Sequence, residues 1–349
     1  MQIPKYLTIF SICFWFTCFH SQAFALNPVN HSIYFENDLF TGTDSNYTNG
    51  VKYSVISPDF SVQATNANAI IPLKVLEYIH KIPFIKDSGP KYTHKAEFSL
   101  GQNMYTPADI SREDLISEDR PYAGWTYMGL GYHRRRIHND IIDFLDTVEV
   151  QLGVVGPESF TEDSQKFIHK TRGLQRPNGW QHQLKNEPGL ALAFERKWLF
   201  HEDHSSIFNF DLVSHLGATA GNIYTYINGG AELRLGINME KSFGVSLIRP
   251  AGSTRLNYNP NPLVYVFAAS NNKSSIRDIF LDGNTFTESH SVAKNIFVSD
   301  LAGGVTFGYK NIMLTWTQVN RSKEFKNQNG NHSFGSLTLS FSFPLGRPN

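Results

Sequence analysis

The stretch Ser336-Leu-Thr-Leu-Ser-Phe-Ser-Phe343 alternates apolar and small polar residues without a break. A period of two puts Leu337, Leu339, Phe341 and Phe343 on one face of a strand and the serines and Thr338 on the other. The same alternation recurs at Val51, Tyr53 and Val55, and at Val148, Val150 and Leu152. In many of these segments the second face is small or polar rather than charged. Such a strand suits a wall with lipid on one side and a polar interior on the other. About twelve candidate strands of roughly ten residues can be marked, the length a tilted membrane strand needs. Many end near turn pairs such as Asn49-Gly50, Asn228-Gly229 and Asn329-Gly330. The fold expected is all-β: a single transmembrane antiparallel β-barrel with short helices in its loops. A soluble β-sandwich would alternate as well, so the rest of the chain has to decide.

Residues 1–25 read as an export signal. Lys5 gives the positive start, Tyr6 to Phe19 the apolar core, and Ala23-Phe24-Ala25 the small-x-small cleavage pattern. Both cysteines, Cys13 and Cys18, lie inside it. The mature chain, 26–349, is then one cysteine-free domain held by packing and hydrogen bonds. No later apolar run reaches the roughly 20 residues of a helical span, so a membrane protein of this sequence has to be a barrel. Lysine and arginine number 31, as do aspartate and glutamate, and zero net charge gives no basic footprint for nucleic acid. The terminal strand, closing on Phe343, resembles the last strand of outer-membrane proteins read by the barrel-insertion machinery. Two loop helices are expected, one over Ile70 to Ile85 and one over Pro157 to Gly173.

Several motifs stand between the strands. Residues 34–50, YFENDLFTGTDSNYTNG, concentrate Glu36, Asn37, Asp38, Asp44, Asn46, Thr48 and Asn49 beside apolar strand residues. So many oxygens suit a hard cation such as Ca2+, although Asn, Asp, Gly and Thr also form turns. SLGQNMYTP (99–107), DRPYAGW (119–125), GVVGP (153–157), GWQHQLKNEPG (179–189) and FLDGN (280–284) follow in that order. Asp119 and Arg120 read as a structural pair inside the barrel. Tyr122, Trp125 and Tyr127 read as an interfacial aromatic girdle. Asp282 and Asn284 fit a turn.

Together these motifs resemble the outer-membrane lipid A deacylase family over nearly the whole mature chain. The resemblance implies a twelve-stranded barrel with a calcium-dependent active site at the outer-leaflet rim. The reaction it implies removes the 3′-O-linked acyloxyacyl chain of lipid A. It places Asn37 and Asp38 in the calcium and oxyanion region, has Thr48 line it, and gives Glu187 the task of orienting the base or joining Asp38 on the metal. The base is expected shortly after the Trp of the GW motif, six before the glutamate. That spacing falls on Gln181, with His182 next door as the candidate and His169 in reserve.

Ester hydrolysis needs an activated water, a base near neutral pKa and a group to hold the oxyanion. Histidine suits the base role, and a divalent cation can stabilise the developing charge. No G-x-S-x-G elbow is present. The reading is a monomeric outer-membrane esterase acting on lipid A of lipopolysaccharide, surrounded by outer-membrane lipid. The alternative is a non-catalytic barrel, either a narrow pore or a structural protein.

Overall fold

In the computed structural model the chain is described over residues 28–38, 46–59, 92–136, 142–201, 208–239, 242–244, 247–252 and 259–344. The export signal, the helix expected at 70–85 and Asp44 lie outside the described residues.

Twelve strands close a barrel in sequence order. They are β1 (Pro28–Asn37), β2 (Asn46–Ile56), β3 (Tyr92–Thr106), β4 (Ala123–Arg136), β5 (Ile142–Val155) and β6 (Glu187–His201). The second half comprises β7 (Phe208–Gly221), β8 (Tyr224–Ile237), β9 (Asn259–Asp278), β10 (Phe297–Lys310), β11 (Ile312–Arg321) and β12 (His332–Pro344). Each pairs antiparallel with its neighbour, and β1 with β12 closes the ring. Among the described residues the α-helices are α1 (Thr161–Arg172) and α2 (Ile279–Asp282). α1 falls inside the span expected at 157–173. One end of the barrel carries Pro28, Ile56, Tyr92 and Pro344. The other, called the rim here, carries Asn37, Asn46, Thr106, Val155 and Glu187.

The alternation sorts as read. On β12, Leu337 and Leu339 are exposed while Ser336, Thr338 and Ser340 are buried. The seam is closed from within by Ser32 and Ser340, whose hydroxyls meet at 2.7 Å. Around the outer wall Leu130, Leu216, Leu235, Val266 and Phe307 stand exposed, an apolar belt that lipid would cover. Strand lengths run from 10 to 20 residues, so the longest exceed what a tilted span needs and continue beyond the bilayer. Leu130→Arg, near the middle of β4, is expected to destabilise the folded barrel in bilayers by about 2–4 kcal/mol. Urea titration in lipid vesicles would measure it.

Among the described residues the lumen is lined by packed side chains. Its middle holds ion pairs, among them Lys52–Glu97 at 3.4 Å, Arg234–Asp211 at 2.6 Å and Arg249–Glu195 at 2.6 Å. Towards the rim an aromatic core takes over: Tyr47, Tyr105, Trp125, Tyr127, Tyr224 and Phe280 pack together. The Tyr105 and Tyr224 hydroxyls meet at 2.8 Å, satisfying the polar ends within the core. Between β8 and β9 the segments 242–244 and 247–252 turn into the lumen. There Arg234 donates to the Ser242 carbonyl and Ala251 N–H to Glu149.

Three expectations are corrected here. Trp125 and Tyr127 are 0% and 3% exposed and belong to the inner core, not to a girdle. Tyr122 is also buried, packed with Met104, Ile110 and Trp180. Asn49-Gly50 and Asn228-Gly229 sit inside strands, because their job is packing rather than turning. The Asn228 amide donates to Glu195 and Asn271 on nearby strands along the lumen wall. Arg120 pairs with Glu324 at 3.1 Å. Asp119, its sequence neighbour, instead accepts from the backbone N–H groups of Ala108 and Arg120.

Candidate functional site on the outer face of the rim

In β1, Ile33 and Phe35 point outward while Tyr34 and Glu36 are buried inward. Alternation therefore places Asn37 on the outer face, one step above the lipid-exposed Phe35. Its cross-strand partner is Asn49, one step above the exposed Val51. The β2–β3 register shifts between Tyr47 and Asn49, a bulge with Thr48 as the extra residue. Tyr47 turns inward to donate to Glu36, whereas the Thr48 hydroxyl meets that of Thr106 at 2.7 Å. The outer row at this height reads Asn37, Asn49, Met104, Gly124. Asn37, Thr48, Asn49 and Met104 are buried although they face away from the lumen. Something covers them from outside.

Part of that cover is α1 and the turn before it. The Ser159 carbonyl accepts from Gln102 Nε2 at 2.9 Å and from Thr126 Oγ1 at 2.7 Å, both outward residues of the wall. Thr161, Gln165 and His169 recur every four residues and form the buried face of α1. Phe167, on another face, is 63% exposed. Gln165 Oε1 accepts from Trp180 Nε1 at 2.7 Å, and Trp180 packs on Met104 of the wall. Gln165 Nε2 is buried without a hydrogen-bond partner among the described residues. His169 donates through Nδ1 to the Gln175 carbonyl, which leaves Nε2 as the basic nitrogen.

His182 lies elsewhere in the cover. Trp180–His182 is a single 3-10 turn, not a strand, so alternation does not decide its direction. It donates through Nε2 to the Glu113 carbonyl at 3.1 Å, and Gln181 donates to the same oxygen.

Glu187 opens β6 on its inward series, with Gly189 and Ala191 buried after it and Leu190 exposed. Its Oε1 accepts from Asn222 at 2.8 Å, and its Oε2 from Asn284 at 3.1 Å and from Thr285 N–H at 2.8 Å. Asn284 also accepts from Lys185 N–H and donates to the Lys185 carbonyl. The NEP and FLDGN motifs are thus two halves of one clamp. β6 stands five strands from β1 around a ring of twelve, with the aromatic core between. The structure brings Asn37, Asp38 and Thr48 together at one edge and does not bring Glu187 to them.

The cation question follows from that placement. Among the described residues no group of three or more His, Cys, Asp or Glu could hold a metal ion. The β1–β2 rim offers instead the Asn37, Thr48 and Asn49 side-chain oxygens on its outer face, with the buried Asp38 next in sequence after Asn37, and oxygen donors of this kind suit a hard cation. Glu187, with both oxygens engaged, does not join that set.

Gly156 fixes the start of the cover. Its φ is +97°, and a Cβ there would lie 2.6 Å from the Lys185 carbonyl carbon and 2.7 Å from Asn186 N. Only glycine fits both demands. Gly156→Ala is expected to destabilise this loop by about 1–3 kcal/mol, seen as faster proteolysis within 156–186 with the barrel intact.

Comparison with known proteins adds to this geometry. A family model described as "Outer membrane protein LpxR" matches residues 9–343. Among solved structures, LpxR from Salmonella typhimurium superposes with a TM-score of 0.68 at 17% identity, covering 90% of this chain and 100% of that one. The translocator domain of the autotransporter NalP from Neisseria meningitidis gives 0.43 at 8% identity, covering 97% and 95%. The β domain of the Bordetella autotransporter BrkA gives 0.41 at 9%, covering 92% and 99%. No curated protein sequence matches the chain.

Proposed function

The chain belongs to the LpxR family of outer membrane proteins, and from that premise we propose that it is an esterase hydrolysing the 3′-O-linked acyloxyacyl chain of lipid A. One observation carries the reading. Buried polar side chains line the outside of the wall on β1 and β2, one step above the lipid-facing belt, and on the neighbouring β3 and β4 lies a helix whose buried face carries a histidine. Acyl chains lying along Phe35 and Val51 would bring their ester groups level with Asn37 and Asn49. A lumen-facing site would serve a soluble substrate; an outward one at this height serves a lipid.

His169 is the base. Its Nδ1–H is held by the Gln175 carbonyl, and Nε2 takes the proton from the attacking water. The proton then passes to the leaving sugar oxygen as the tetrahedral intermediate collapses. Asn37 and Asn49 can donate amide N–H groups to the oxyanion, which gains strength where water is excluded. A Ca2+ ion at Asp38, Asn37, Thr48 and Asn49 would supply Lewis-acid stabilisation of the same charge. Glu187 acts by holding the 185–187 corner to Asn222 and to the loop after α2. The protein works as a monomer, exported with residues 1–25 removed and placed by the barrel-insertion machinery.

The pore alternative is disfavoured by the packed lumen. Among the described residues the cavity lined by Lys197, His215, Glu232 and Arg249 holds about 60 Å³, room for a few waters. Mass spectrometry of lipid A from cells with and without the protein tests the proposal. The expected product is lighter by one acyloxyacyl unit, and chelating Ca2+ from the purified enzyme should suppress its formation. An unchanged spectrum from a folded, membrane-inserted barrel would refute the esterase reading, and steady conductance in planar bilayers would revive the pore.

A further inference from the structure

Glu36 lies directly behind the outer row, on the lumen side of β1, and is 1% exposed. Its two oxygens serve two distant parts of the chain. Oε2 accepts from the Tyr47 hydroxyl at 2.8 Å, and Oε1 from the backbone N–H of Ile248 at 2.8 Å. Tyr47 is where the β2 register shifts, immediately before Thr48. Ile248 belongs to the segment folded into the lumen from the opposite end. That segment is tied down again by Arg249 on Glu195, at 2.6 and 3.0 Å, and by Ala251 N–H on Glu149 at 2.6 Å. Gly50 faces Glu36 across the β1–β2 pair, and a Cβ on it would lie 2.0 Å from the Tyr47 hydroxyl and 3.0 Å from Ile248 Cδ1. Tyr47, Gly50 and Ile248 are therefore packed around one carboxylate.

An ionised carboxylate only accepts, so it can hold two donors at once. A glutamine at position 36 would have to turn its NH2 towards one of them. A bulge also leaves its extra residue without a ladder partner, so the direction of Thr48 depends on how its neighbours are held. We infer that Glu36 is a positioning residue: from inside the barrel it locks the Tyr47 bulge to the inserted segment and so fixes Thr48 and Asn49 on the outer face. The catalytic consequence rests on the deacylase reading; the ordering of the bulge does not.

The test uses the full-length protein, purified in detergent and compared with Tyr47→Phe, Glu36→Gln, Ile248→Pro and Ile248→Ala. Proline removes the N–H that Glu36 accepts, whereas alanine keeps it. Hydrogen exchange over residues 46–50 should quicken at least about tenfold in Tyr47→Phe and Ile248→Pro, with β10 and β11 unchanged. Ile248→Ala should match the parent. With lipid A as substrate, kcat should fall about tenfold while KM stays within about twofold, as expected for geometry that matters in the transition state. Parent-like exchange over 46–50 in both Tyr47→Phe and Ile248→Pro would overturn the inference, as would a loss carried by KM. If the parent itself leaves lipid A intact, the deacylase reading fails, and the exchange comparison still decides whether Glu36 orders the bulge.

Discussion

Replacing His169 with alanine is expected to lower lipid A deacylation by about 10²–10⁴-fold, the range that loss of a general base produces. The barrel should remain folded, because His169 lies on α1 outside the wall and takes no part in the strand ladder. His169→Asn is the sharper variant. It keeps a donor able to reach the Gln175 carbonyl and so preserves the local turn, but supplies no basic nitrogen. Its activity should be as low as that of His169→Ala. His182→Ala should cost less than about threefold, since His182 is bonded to the Glu113 carbonyl in another part of the cover. The readout is the fraction of lipid A that has lost its acyloxyacyl unit after a fixed time, with equal amounts of heat-modifiable barrel. The reverse ranking, with His182→Ala inactive and His169→Ala unaffected, would return the base to the GW motif.

That ranking could not be read from the chain, and the reason is geometric. The choice between Gln181, His182 and His169 rests on spacing from the GW motif, and the segment from Trp180 to His182 folds as a 3-10 turn anchored by Trp180 against Met104. A helix over Pro157 to Gly173 was legible in the sequence. Which side of the barrel wall the helix would lie on was not, because hydrophobic periodicity reports burial and not the identity of the partner surface. Trp125 and Tyr127 misled for the same reason. A buried aromatic and a girdle aromatic have the same sequence signature, and here the upper lumen is packed with rings. Glu187 is assigned to the base or the metal only through the family resemblance, and its partners Asn222 and Asn284 are 35 and 97 residues further along the chain. The barrel itself was legible. The contrast between lipid outside and polar atoms inside is imposed on every second residue of every strand, so the pattern survives local exceptions such as the Tyr47 bulge.

Removing Glu324 is expected to be among the most damaging single changes to stability. Arg120 and Glu324 are 1% and 2% exposed and meet at 3.1 Å. Arg120 Nε and its second terminal nitrogen have no hydrogen-bond partner among the described residues, so Glu324 carries most of its compensation, aided by the Tyr105 ring 4.9 Å away. Arg321 also faces Glu324, but is held independently by Asp300 at 2.7 and 2.9 Å. Glu324→Ala therefore leaves Arg120 as a buried, uncompensated cation, a change that typically costs about 3–5 kcal/mol. Arg120→Leu with Glu324→Leu removes both charges and should recover much of that loss. The same pair sets an acid limit. Burial alone would raise the Glu324 carboxyl, but Arg120 and Arg321 outweigh it and hold the group down from 4.5 to about 2. Its folded pKa is thus depressed. The contribution is complete above about 4.5, where the unfolded chain is also ionised, and is lost as pH falls towards about 2. Urea unfolding in lipid vesicles at pH 7 and at stepwise lower pH should show the parent losing stability across that window. Glu324→Ala, already lacking the term, should show a flatter dependence. An equal slope in both proteins would mean that other carboxylates govern acid unfolding and that the Arg120 pair is not the determinant argued here.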